Sequence, residues 1–397
     1  MTTDFLTQAQ GMMAQLAAHR RKLHSHPEVG FDLEQTRDYV RKQLKAMGYA
    51  PQDCGKCGIA AALESGVPGK TILLRADMDA LPMGEETAIP FASGNGNMHA
   101  CGHDMHTAML LGAAKLLAEN RQELKGNVKF MFQPAEEILS GAKDMIEDGV
   151  LEGVDAAAMI HVAAGVPLKA GTIIVAPEGI SAPGAAYFSI QVQGKGCHGA
   201  APCKGVDALS VAAHILLGLH QIHARELPAA SGSVLTVGSF SGGDADNAIA
   251  DAAVLRGTVR AFEDETMTFL KKRIEDISQG IAAAFRASAI VEFSQECPSL
   301  KNDSALCQLA LDALPKALGE YAVLSAGPLD KNGVGGSEDF AYVSREVPSV
   351  MLSLAAGSPD KGHKFPLHHP KVTFDENALP VGAAALAALA VSYLSKG

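Results

Sequence analysis

The sequence has no block of basic residues, and its formal charge of −11, from 33 Lys and Arg against 44 Asp and Glu, argues against a partner with a phosphate backbone. Nucleic acid is therefore not an expected partner. The opening residues MTTDFLTQAQG lack a basic start followed by an apolar stretch, so no secretory signal is read there. No run of about 18 uninterrupted apolar residues occurs. The nearest candidate, VGAAALAALAVSYL, is shorter and alanine-rich, as suits a packed helix. A membrane partner is not expected, and the chain reads as cytoplasmic. Seven cysteines, an odd number in a large chain without an export signal, do not make a disulfide framework. Cys54 and Cys57 have C-x-x-C spacing, but no second pair follows and nothing thioredoxin-like surrounds them, so they read as ordinary thiols on a turn. Internal repeats, low-complexity segments and collagen-like, coiled-coil or disordered composition are absent too.

What is present is 397 residues, 47% hydrophobic and 19% charged, enough for two domains with cores of their own. Strand-like runs alternate with helical patterns through the first half. TRDYVRKQLKAMG has helical spacing and a glycine stop, TILLRADMDALP begins as a buried strand, HTAMLLGAAKLLAEN is an amphipathic helix, and NVKFMFQPAEE and VDAAAMIHV are strands. This alternation predicts an α/β fold, a mainly parallel sheet sandwiched by helices. Beyond residue 183 the order becomes strand, helix, strand, strand, helix, strand, which predicts a ferredoxin-like α+β domain inserted over 184–295. The interrupted domain would then comprise 1–183 and 296–397, and a substrate site is expected in the cleft between the two domains.

Acids and imidazoles fall at strand ends. Asp77 and Asp79 end TILLRADMD, Glu136 and Glu137 follow VKFMF, and His161 ends AAAMIHV. In an open parallel sheet, ligands bind beyond the carboxyl ends of the strands, so these groups converge on one rim. MHACGHDMHTAML places Cys101 and His103 in a loop feeding that rim, and LHHPKVTFDE supplies His368 and His369 before the last helix. Taken singly, each has a plainer reading: a hydrogen-bonded histidine, a solvated acidic helix start, a small packed cysteine. Taken together they offer thiolate, imidazole and carboxylate donors from separate segments, as a metal site requires. Cys and His with one carboxylate suit Zn²⁺, while further carboxylate leaves Mn²⁺, Co²⁺ or Ni²⁺ as alternatives. Of two adjacent glutamates, one can bind metal while the other takes a proton from water.

In order along nearly the whole chain, RRKLHSHPEVGF, LLRADMDALPM, MHACGHDMHTAML, FQPAEE, IHV, GKGCHGAAP, the Asn247 segment through LRGTVRAF, GSEDFAYV and LHHPKVTFDE resemble one family. It is the dinuclear metallo-amidohydrolases of the aminoacylase and carboxypeptidase type, in the branch of hippurate hydrolases, N-acyl-amino-acid deacylases and indole-acetyl-amino-acid hydrolases. The resemblance implies that Cys101 bridges two divalent ions, with His103 and His161 on one and Glu137 and His368 on the other. Glu136 would be the general base, and Asp79 would orient a ligand or that base from behind. Asp104 is close enough to Cys101 and His103 to orient one of them, while His99 and His106 read as structural or as lying behind the ligands. The inserted domain resembles the family's lid and dimerisation domain. It implies a homodimer in which His198 reaches the partner's active site and holds the carbonyl oxygen, with Asn247 and Arg260 contacting the substrate or its carboxylate. Four departures stand out: Cys203 where the family has His, Ala208 and Ala250 in place of prolines, and IHVAAGVP without the aromatic-proline sequel to His161.

The resemblance implies hydrolysis of the amide of a small-molecule N-acyl amino acid, hippurate-like or N-acetylated. Rivals are a dipeptidase or carboxypeptidase on the same scaffold, a non-hydrolytic protein that binds metal or an acylated ligand, and a thiol hydrolase using Cys101. A chelator distinguishes the last of these. Metal chemistry predicts activity lost on dialysis against a chelator and restored by Mn²⁺ or Zn²⁺, whereas a thiol hydrolase keeps its activity there and loses it to alkylation of Cys101.

Overall fold

Every residue from Ile72 to Asp77 is buried, so both faces of the strand Thr71–Asp77 are covered. Continuous burial of this kind marks a central strand of a helix-covered sheet. The structure, a computed structural model, describes residues 3–228, 230–319, 321–327 and 335–396. It divides into two compact units, one of Met1–Ser181, Lys301–Leu329 and Tyr342–Gly397, the other of Ala182–Leu300 and Asp330–Ala341.

The first unit holds an eight-stranded sheet. Across it the strands run Gln52–Cys54, Gly58–Glu64, Asn127–Gln133, Thr71–Asp77, Ala156–Ala163, Ser349–Ala355, Ile173–Val175 and Val323–Ser325. Its middle is parallel, from Asn127–Gln133 through Ser349–Ala355, and the antiparallel pairings lie toward the two edges. The fold is thus α/β with a mainly parallel central sheet. The short strands at the edges, such as Ile173–Val175 and Val323–Ser325, have too few residues to show a period in sequence.

Two buried helices pack together beside the sheet, His103–Glu119 and Ala378–Leu394, and Met13–His24 packs on the first of them. The helix at His103 starts three residues earlier than the apolar pattern HTAMLL predicts. Gly102, at φ 87°, turns the chain into it, and a Cβ there would lie 2.3 Å from Cγ2 of Val162. His103 and Asp104 are consequently the first residues of a helix rather than members of a loop.

The second unit is a four-stranded antiparallel sheet in the order Ser233–Gly242, Ala252–Ala261, Gly184–Gln193, Ser288–Cys297. With the helices Ala208–Gln221 and Asp264–Ala284 it has ferredoxin-like connectivity around its own apolar core. Ala208, read above as a replacement for proline, donates its N–H to the carbonyl of Ala250 at 3.1 Å, a bond that proline at 208 could not make.

All seven cysteines are free thiols. Cys54 and Cys57 are buried, and burial pushes each up to about 11, which makes them poor nucleophiles. Among the described residues no helix is long and apolar enough to cross a membrane.

Leu110 lies on the buried helix His103–Glu119 with no exposed surface. Leu110→Ala should cost about 2–5 kcal/mol, read as a lower urea midpoint with native helicity retained in the folded state.

Candidate metal centre

Strand ends and one helix start in the first unit bring the predicted donors together. Cys101, His103 and His161 place Sγ and two ring nitrogens within 4.8 Å of one another, and Cys101, Glu137 and His368 do the same. Cys101 belongs to both groups. Its Sγ lies 3.5 Å from Nε2 of His161, and Nε2 of His368 lies 3.5 Å from Oε2 of Glu137. His368 takes a left-handed φ of 62° and donates its N–H to the carbonyl of Ala100 at 3.0 Å, which ties the late segment to the loop of Cys101. His369 turns elsewhere, its ring stacked on Phe365 at 4.2 Å.

Hydrogen bonds fix the tautomers. His103 Nδ1 faces the backbone carbonyl of Asp79 at 2.9 Å, and a carbonyl only accepts, so Nδ1 carries a proton. Nε2 therefore points into the site, where Asp77 Oδ2, Glu136 Oε2 and Glu137 Oε1 lie at 3.7, 3.8 and 4.0 Å. This Nε2 and Glu137 Oε1 are buried without a hydrogen-bond partner. His161 is arranged likewise, its Nδ1 donating to the carbonyl of Val162 at 2.8 Å and its Nε2 turned to Cys101.

The electrostatics call for positive charge at this point. Burial opposes a charge on His103, yet Asp77 and Cys101 hold its pKa well above the ordinary imidazole range. Burial pushes Glu137 up to about 7, with His103 opposing and Asp79 and Asp77 adding to the rise. Burial likewise drives the Cys101 thiol well up and His161 down to about 3, so His161 is neutral and able to ligate. Orphaned lone pairs, crowded carboxylates and a buried thiol fit a pair of divalent cations, which would stabilise thiolate and carboxylates together.

Asp79 accepts the backbone N–H groups of both glutamates, Glu136 at Oδ1 and Glu137 at Oδ2, each at 3.1 Å. One fully buried carboxylate thus orients the turn that splits the two acids. That turn carries Ala135 at φ 55° and Leu139 at φ 53°, and a Cβ on Gly141 would lie 1.6 Å from the carbonyl oxygen of Pro134.

The remaining predicted residues lie in the second unit. His198 is exposed, and its Nδ1 accepts from the N–H of Ala200 at 3.0 Å, so Nε2 is the protonated nitrogen. Asn247 is exposed, and its backbone carbonyl accepts from Gly199 at 2.7 Å. Arg260 is partly buried and donates to Ser337 Oγ at 2.7 Å.

The model of Peptidase family M20/M25/M40 matches residues 73–392. The chain belongs to that family. An N-acetyl-L-cysteine deacetylase of Bacillus subtilis is 39% identical over 372 residues, 92% of this chain and 85% of that protein. IAA-amino acid hydrolase ILR1-like 2 of Arabidopsis thaliana is 36% identical over 388 residues, 95% of this chain and 84% of that one. Among solved structures, the YXEP protein of Bacillus subtilis, described as a dinuclear metal binding peptidase from the M20 family, is similar with a TM-score of 0.80 at 34% identity, covering 97% of this chain and 99% of that one. Like these relatives, this M20/M25/M40 member is a hydrolase.

Sequence reading placed Asp104 beside a ligand, and the structure turns it away. Its Oδ2 accepts from Arg20 Nε at 3.0 Å and from His24 Nδ1 at 2.8 Å, anchoring the helix Met13–His24. His24 Nε2 also meets Glu85 at 3.2 Å. The signal lay in RRKLHSHP, where Arg20 and His24 stand four apart on one helix face, but nothing local named their partner. Burial opposes charge on His24, and Asp104 and then Glu85 outweigh it, raising its pKa to about 9. A folded-state pKa above the unfolded value contributes stability that is complete below about pH 6.5 and is lost as pH rises through about 9, at most roughly 3 kcal/mol. The gap in urea midpoint between wild type and His24→Gln should be widest at pH 6 and shrink toward pH 10; a gap constant over that range would discount the ion pair.

Proposed function

We propose that this chain hydrolyses the amide bond between an acyl group and the nitrogen of an amino acid, with Glu136 as general base. The observation that carries the reading is the division between adjacent glutamates. Glu137 sets Oε2 beside His368 and Oε1 beside His103, whereas Glu136 sets Oε2 beside His103 and, among the described residues, belongs to no group with Cys101 and His368, and Asp79 fixes the backbone of both. A binding protein needs no second buried carboxylate held apart in this way. Two of the relatives support the substrate class, being named for an N-acetyl amino acid and an IAA-amino acid.

Cys101, His103 and His161 would hold one divalent ion, and Cys101, Glu137 and His368 the other. Mn²⁺ or Zn²⁺ fits these donors best. Such ions supply Lewis acidity that lowers the pKa of the attacking water and polarises the scissile carbonyl. Glu136 takes the proton of that water and afterwards delivers it to the leaving amine nitrogen. Asp79, behind both glutamates, keeps the Glu136 carboxylate aimed through the reaction. His198, protonated at Nε2, donates to the carbonyl oxygen as negative charge grows there, and in this reading it comes from the second subunit of a homodimer. Arg260 and Asn247 receive the substrate carboxylate, which sets N-acyl amino acids apart from simple amides.

Glu136→Gln should lower kcat by about 10²–10⁴-fold while metal content stays at the wild-type level. A variant that keeps near wild-type turnover on acetyl- and benzoyl-amino acids would remove Glu136 from the mechanism. On the same panel, higher kcat/KM for dipeptides than for N-acyl amino acids would move the assignment to a peptidase.

A further inference from the structure

One residue of the sheet carries two histidines. Val162 presents its carbonyl to Nδ1 of His161 at 2.8 Å and its N–H to Nε2 of His106, also at 2.8 Å. The N–H is available because the pairing between Thr71–Asp77 and Ala156–Ala163 runs only as far as Arg75 opposite Met159. His106, at the end of the first turn of the helix His103–Glu119, takes the place of the strand partner that is missing there.

The rest of the chain of bonds follows from valence. Accepting at Nε2 makes His106 a donor at Nδ1, and that proton goes to Asp77 Oδ1 at 2.6 Å. Asp77 Oδ2 in turn accepts from the buried guanidinium of Arg75 at 2.7 Å, and Arg75 also donates to Gln133 Oε1 at 2.8 Å. Thr107 donates its hydroxyl to the carbonyl of Asp77 at 2.7 Å, so the helix is stitched to the strand end twice. His106 thus has no lone pair left for a metal, although Asp77, His103 and His106 lie close enough together to suggest a site. The two imidazole rings, of His106 and His161, meet edge to face with centroids 4.6 Å apart.

We propose that His106 is a positioning residue for the metal centre, holding the backbone of Val162 so that His161 presents Nε2 to the Cys101–His103 position, with Asp77 and Arg75 locking the tautomer of His106. The relay serves one ion of the pair. Its last bond reaches His161, which belongs to the position of Cys101 and His103 rather than to that of Glu137 and His368, so occupancy of the first position is the quantity that His106 controls. This inference rests on the dinuclear reading given above.

Two conservative variants divide the relay at its two ends. In His106→Gln the side-chain amide oxygen can occupy the place of Nε2 and still accept from Val162, whereas in His106→Asn the amide reaches Asp77 and leaves the Val162 N–H unpartnered. The probe is Co²⁺ alone, titrated into metal-free full-length protein, with cobalt per chain measured after gel filtration and the thiolate charge-transfer band of Cys101 followed by absorbance. Wild type should take up two ions. His106→Asn should bind one of them about 10–100-fold more weakly with the other unchanged, while His106→Gln stays within a few-fold of wild type. The urea midpoints of the two metal-free variants, measured in parallel, separate a loss of metal from a loss of fold. Two ions at wild-type affinity in both variants would overturn the relay, as would equal weakening in both, since either result detaches occupancy from the Val162 contact. Fewer than two ions in wild type would instead sink the dinuclear reading itself.

Discussion

Three carboxylates converge within 4.0 Å of a single buried imidazole nitrogen, His103 Nε2, beside a buried thiol. Like charges at such separations in a low-dielectric interior repel by several kcal/mol, so the arrangement is stable only with positive charge among them. Much of the surrounding architecture answers this demand. Arg75 pairs with Asp77 from the strand, and backbone N–H groups hydrogen-bond Asp79 from the turn. What these do not reach, His103 Nε2 and Glu137 Oε1, are atoms that a divalent ion would satisfy. The site is thus defined by what the protein leaves unsatisfied as much as by what it bonds.

Holding the donors open to a cation has a backbone cost. Ala135, Leu139 and His368 occupy the left-handed region, where a residue with a Cβ is strained by roughly 1–3 kcal/mol. Each is held by its neighbours. The N–H groups of Ser140 and Gly141 both reach the carbonyl of Ala135, and the N–H of His368 reaches Ala100. Strain concentrated on the turn of the two glutamates and on the segment of His368 places the conformational cost at the donors themselves, which a bound ion offsets.

The parallel core of the sheet was legible because its strands are long, apolar and bounded by turns, as in VKFMF and AAAMIHV. Strand ends then located the acids and histidines. The edges of the sheet escaped notice because three-residue strands have no period. Relations across the chain were the other blind spot. Nothing in GHDMH tells that Asp104 turns back to Arg20 and His24 while His106 turns forward to Asp77, because the direction of a side chain on the first turns of a helix depends on what packs there. Arg75 in the middle of LLRAD did carry a signal. An arginine inside a buried strand must have a buried acid, and Asp77, two residues on and on the same face, is the nearest.

The pair Ala208 and Ala250 shows how a departure from a family pattern is judged by bonds rather than by residue type. Proline at 208 would suit the first turn of the helix Ala208–Gln221, where its missing N–H costs little. Here that N–H is used, joining the helix start to the carbonyl of Ala250 directly after the strand Ala248–Ile249. The same short strand pairs with Cys197–His198, with Ala248 opposite His198. The alanines therefore replace the stiffness of two proline rings with a hydrogen bond that ties the helix start to the end of the strand paired with His198. A bond of this kind contributes about 0.5–1.5 kcal/mol and can break and re-form, whereas a ring cannot. It follows that the His198 segment keeps its register here through pairing, and that its freedom to move is set by how readily those few backbone bonds open.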